Sequence, residues 1–169
     1  MKKMTVLPML LAFSLLNATS YAQSQDDIAK QFVGMWRGVY TQQRLADGTT
    51  RQNSNNVAYV FFDSNVGHMC YLSMDPHRPQ WKSAAPPTAD EALSALKGFS
   101  AYCASIEIHA KDGLMVRHYE ISDNPNQVGG VTKRWFTFQG PNRMTLRVDT
   151  PELTAPVVES TFIWERVVK

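Results

Sequence analysis

Between Val57 and the last residues the chain is written in short stretches of period-two alternation, separated by turn signals. That period belongs to strands and excludes a helical bundle. Ala101 to Ala110, a Lys111-Asp112-Gly113 turn and Leu114 to Ser122 read as one hairpin. Thr132 to Gln139 and Arg143 to Asp149, around Gly140-Pro141-Asn142, read as another. Met35 to Tyr40, Val57 to Phe62, His68 to Met74 and Val157 to Val168 supply four further strands. About eight strands and so many turns call for a barrel or a sandwich, and closure into a barrel removes exposed sheet edges. Two short helices interrupt the pattern. Ser24 caps the first, with Ile28, Phe32 and Val33 on its apolar side and Gly34 at its end. The second starts at a capping box, Thr88 with Glu91, and runs to about Gly98.

The N-terminus has the order of a secretory signal. Lys2 and Lys3 precede an apolar run from Met4 to Leu16, and Ser20-Tyr21-Ala22 offers the small residues of a cleavage site. The run is shorter than the about 20 residues of a membrane span. The expectation is therefore cleavage after Ala22, no stable membrane anchor afterwards, and a single domain over residues 23–169 in the periplasm or outside the cell. The whole chain carries 17 Lys+Arg against 15 Asp+Glu. The leader holds Lys2 and Lys3 and no acid, so residues 23–169 are balanced at 15 against 15. No basic footprint for nucleic acid is left. Cys70 and Cys103 both fall in strands, and in an oxidising compartment they form a candidate disulfide, with two buried thiols as the alternative.

Gly34-Met35-Trp36 after a short helix resembles the Gly-x-Trp opening of lipocalins, and Arg166 stands two residues after Trp164 in the final strand. The resemblance implies that Arg166 packs over Trp36 and closes one barrel end, a cation–π contact. Met74-Asp75-Pro76-His77-Arg78-Pro79, the helix from Ala89 to Lys97, His118-Tyr119-Glu120-Ile121-Ser122 with Pro125-Asn126 and Val128-Gly129, and Trp164-Glu165-Arg166-Val167 are similar to a bacterial family of lipocalin-like domains. The similarity runs from about Gly34 to Val167. Gln127 departs from it, since relatives often carry tryptophan there, and so does the cysteine pair. The implied fold is an all-β, about eight-stranded antiparallel up-and-down lipocalin-like β-barrel of the calycin type. Such an interior is filled by side chains or holds one small ligand.

The strand from Leu114 to Ser122 carries the chemistry. Val116, His118, Glu120 and Ser122 share one face, and Met115, Arg117, Tyr119 and Ile121 share the other. Either choice of inward face places polar groups inside, and these need partners. With His118 and Glu120 inward, about 7 Å apart along the strand, Arg134 on the next strand neutralises Glu120. That trio orients a ligand with one polar end, or moves a proton with His118 or Glu120 as base. Asn126 adds a polar contact from the loop, and Tyr59 and Phe136 add apolar wall. A fully satisfied polar network is the structural alternative. Four dispersed histidines predict no metal site, and no Gly-rich phosphate loop or other cofactor motif occurs. Three functions fit: an exported binder of a small, mostly hydrophobic molecule, a cofactor-independent isomerase, cyclase or lyase, and an envelope or stress protein with a filled barrel acting through its surface. Catalysis and oligomeric state stay open at this stage.

Overall fold

A computed structural model describes residues 24–54, 56–82, 86–149 and 153–168, so the leader expected over residues 1–22 lies outside the described residues. The strands are β1 (Gly34–Leu45), β2 (Thr50–Asn53), β3 (Val57–Phe62), β4 (His68–Met74), β5 (Phe99–His109), β6 (Leu114–Ser122), β7 (Val131–Phe138), β8 (Arg143–Asp149) and β9 (Val157–Arg166). The helices are α1 (Gln25–Lys30) and α2 (Ala89–Lys97). All neighbours pair antiparallel in chain order, and β1 also pairs β9, which closes the sheet. β2 and β3 lie in succession along the same edge of β1, at Thr41 to Arg44 and at Gly34 to Arg37 respectively. The ring is therefore an eight-stranded up-and-down antiparallel barrel, and the β1–β9 pairing decides for it over a sandwich.

Alternation decides what fills it. Ala58, Val60 and Phe62 of β3 are buried while Val57, Tyr59 and Phe61 between them are exposed. Met115, Arg117 and Tyr119 of β6, and Met144, Leu146 and Val148 of β8, are buried in the same rhythm. One end is plugged from outside the sheet. Phe32, which follows α1, is fully buried with its ring 4.9 to 5.1 Å from Phe62, Phe136 and Phe138. Ser24 caps α1 by accepting from the Asp27 backbone N–H, and the Gln25 side chain clamps to the backbone of Ile108 and Ala110. Trp36 Nε1 donates to the Phe32 carbonyl at 2.7 Å. Arg166 lies over the Trp36 ring at 4.1 Å and donates to the carbonyls of Gln31, Val33 and Pro141. The closure implied by the resemblance is present.

Cys70 and Cys103 sit directly opposite one another on β4 and β5, with Cα atoms 4.1 Å apart, and form a disulfide. It lies on the outer face, in line with exposed Phe61 and Ile121. The capping box also forms: Thr88 and Glu91 each bond the other's backbone N–H. Arg78 joins the Pro-rich exit of β4 to the end of α2 through the Ala95 carbonyl at 3.0 Å.

Candidate functional site

Beyond the aromatic plug the interior holds a cavity of about 180 Å³. Val60, Met69, Leu146, Phe162 and Trp164 form its apolar wall. Tyr71, Tyr102, Tyr119, Arg117 and Arg134 give it a polar side, and Gln127 reaches it from the loop between β6 and β7. Among the described residues no aspartate or glutamate lines it.

Arg117 is the centre of the polar side. It is only 3% exposed. Its Nη1 donates to the Tyr102 hydroxyl at 2.6 Å, and Nε and Nη2 donate to Thr132 Oγ1 at 3.1 and 2.8 Å. The Thr132 hydroxyl in turn points at the Tyr119 oxygen, 3.5 Å away. The guanidinium lies 5.4 Å from the ring centres of both Tyr102 and Tyr119. Tyr102 stacks on Tyr71 at 5.0 Å and meets Tyr119 edge-on at 4.9 Å. Burial pushes the Tyr102 phenol up to about 12, with Arg117 pulling in the other direction, so it stays protonated as a donor. Burial likewise raises Tyr71.

Trp164 supplies the opposite wall. It is 3% exposed, and its indole N–H is the buried side-chain polar atom left without a hydrogen-bond partner among the described residues. Buried tryptophan N–H groups usually find an acceptor. A second cavity, of about 120 Å³, adjoins the break between β2 and β3 and shares Tyr71, Phe162 and Trp164 as walls. Gly38 makes this packing possible. A Cβ there would lie 3.0 Å from the Ala58 Cβ and 3.3 Å from Trp164 Cζ3, and the β1–β9 register shifts between Gly38 and Tyr40.

The residues singled out in the sequence divide between the two faces. Arg134 lines the cavity. Phe136 is interior, 9% exposed, but packs into the aromatic plug against Phe32. His118 and Glu120 do not enter the barrel, which corrects the inward placement considered above. His118 bonds Glu107 at 2.9 Å on the outer face, and Glu120 approaches His68 at 3.4 Å there. The inward face of β6 is that of Met115, Arg117 and Tyr119, because the hairpin register sets Met115 beside Ile108 and Arg117 beside Ile106, both inward residues of β5. Glu120 therefore does not meet Arg134 inside. Tyr59 alternates outward on β3, and Asn126 is exposed, its backbone N–H donating to Asn124; its neighbour Gln127 turns inward and accepts from the Ser122 hydroxyl at 2.9 Å. Arg117, Tyr102, Tyr71 and Trp164 are the functional candidates whose interior role the sequence reading did not assign. Among the described residues no group of three or more metal-ligating side chains occurs.

No protein-family model matches the chain, and no curated protein matches it. Among solved structures, a redesigned β-barrel is similar at 12% identity with a TM-score of 0.42; the match covers 83% of this chain and 95% of that one.

Proposed function

We propose that the chain is an exported, lipocalin-like binding protein that holds one small, mostly apolar molecule inside the barrel. The observation that carries this reading is the interior cavity, apolar on one side and polar on the other. A ligand with one polar end matches that division. The disulfide fits a chain matured in an oxidising compartment. No helix among the described residues is long and apolar enough to cross a membrane. The proton-transfer alternative loses its acid–base pair, since His118 and Glu120 face outward.

Mass spectrometry of the protein exported to a bacterial periplasm and gently purified tests the reading. The expected result is a small-molecule adduct present under native conditions and lost on denaturation. A bare chain whose melting temperature no apolar compound raises would instead assign a filled barrel, because any ligand of the folded state stabilises it by mass action.

A further inference from the structure

We infer that the ligand of this cavity is an anion, specifically a small carboxylate on an aromatic ring or short apolar body, with its charge held against Arg117 and its apolar part against Trp164 and Leu146. The inference rests on the binding reading above and names the ligand class for that site.

Charge is the first reason. Arg117 is buried, and no carboxylate among the described residues contacts it; every partner it has is a neutral hydroxyl or a tyrosine ring. A buried cation without a counter-ion is strongly unfavourable compared with a paired one. Among the described residues no acidic side chain lines the same space. The cavity is thus electropositive in a low-dielectric setting, where one anion gains far more than in water.

The direction of the hydrogen bonds is the second reason. A guanidinium has five N–H donors, and three bonds are made, which leaves two. The Tyr102 oxygen already accepts from Arg117, so its own proton is left to donate, and no acceptor for it occurs among the described residues. Thr132 accepts from Arg117 and passes its proton toward Tyr119, which leaves the Tyr119 proton in the same position. The site therefore has donors in excess and lacks acceptors. A carboxylate is acceptor-only, with about four lone-pair positions, and fits a guanidinium edge in two-point geometry.

Size sets the rest. A dry cavity of about 150 Å³ accommodates benzene, and this one is about 180 Å³. One aromatic ring, or a short alkyl chain, with its carboxylate is the matching volume.

Isothermal titration of the disulfide-bonded protein at pH 7 with phenylacetate, benzoate and hexanoate, and with the three corresponding neutral amides, tests the inference. The expected result is at least tenfold tighter binding of a carboxylate than of its amide. Arg117→Gln should abolish that preference, and Tyr102→Phe, which keeps the ring and removes one donor, should reduce it severalfold. Amides that bind as tightly as carboxylates would overturn the anion inference and leave the binding reading standing. Binding of neither set would overturn both. The wild-type comparison decides the matter even if Arg117→Gln fails to fold.

Discussion

The Arg166 guanidinium lies 4.1 Å over the Trp36 ring while its three nitrogens bond the carbonyls of Pro141, Val33 and Gln31. One side chain of the last strand thereby fastens the first strand, the segment after α1 and the turn between β7 and β8. Charged hydrogen bonds of this kind contribute about 1.5–3 kcal/mol each, not additively, and the ring contact about 0.5–2 kcal/mol. Arg166→Ala is expected to destabilise the fold by about 3 kcal/mol in urea titration. Arg166→Lys should recover less than half of that, because an ammonium lacks the planar fork. A loss under about 1 kcal/mol for the alanine variant would show that α1 and Phe32 hold the end without it.

Removing the disulfide should weaken the protein without opening the cavity. The two cysteines are 33 residues apart in sequence and bridged on the outer face. Restricting a loop of that length in the unfolded chain contributes about 3–4 kcal/mol in the chain-entropy description. The Cys70→Ser, Cys103→Ser double variant is expected to lose about that much in urea, with ligand affinity within twofold of wild type. A large affinity loss in a variant that remains folded would contradict the outer placement.

Alkaline pH should act through the tyrosines. Tyr102 titrates near 12 in the fold against an ordinary value of 10, and burial is the main cause. The folded state therefore favours the neutral phenol. Its contribution is complete below pH 10 and is lost as the pH rises through 12, a difference on the order of 3 kcal/mol. Absorbance at 295 nm should show a late-ionising class of tyrosine, and Tyr102→Phe should remove part of that class and flatten the stability decline above pH 10. An unchanged profile would place Tyr102 in water.

Gly38 should resist a methyl group. The Ala58 Cβ and the Trp164 ring stand 3.0 and 3.3 Å from where it would go. Overpacking of this kind costs about 1–3 kcal/mol. Gly38→Ala is expected to destabilise by that amount and to shift the Trp164 fluorescence, since the ring has to give way. Emission and stability equal to wild type would mean that the strand relaxes around the methyl.

His118→Ala and Glu120→Ala should leave ligand affinity within twofold of wild type and stability within about 1 kcal/mol, as for other exposed polar side-chain contacts. Both lie on the outer face, where His118 pairs Glu107 and Glu120 approaches His68. A tenfold affinity loss in either variant would reopen an outer-surface site.

Strand positions were legible because period-two alternation is a local signal. Leu114–Ser122 and Arg143–Asp149 have the boundaries the alternation suggests. Thr50–Asn53 was not legible: its four residues are polar and exposed, so the pattern has no buried member to announce a strand. The inward face of β6 was ambiguous when that strand was read alone, since each face carries an ionisable residue. The ambiguity falls when β5 is read through the hairpin, because Ile106 and Ile108 stand beside Arg117 and Met115 while Ser105 stands beside His118. The cavity itself has no sequence signature. Its walls come from strands β3 to β9 and from one loop, and only closure of the ring brings Trp164 near Tyr71, 6.1 Å between ring centres.

The pairing of β1 with β9 has a consequence for how the molecule comes to exist. A ring has no finished part. Until Val157–Arg166 is available, Trp36 lacks its arginine and the first strand keeps an unpaired edge along the stretch from Trp36 to Leu45. The contacts that complete the barrel join the two ends of the domain, and such distant contacts form slowly because a long loop must be closed first. During synthesis the growing chain therefore has hairpins but no closed interior, and its inside is enclosed only with the arrival of its last strand.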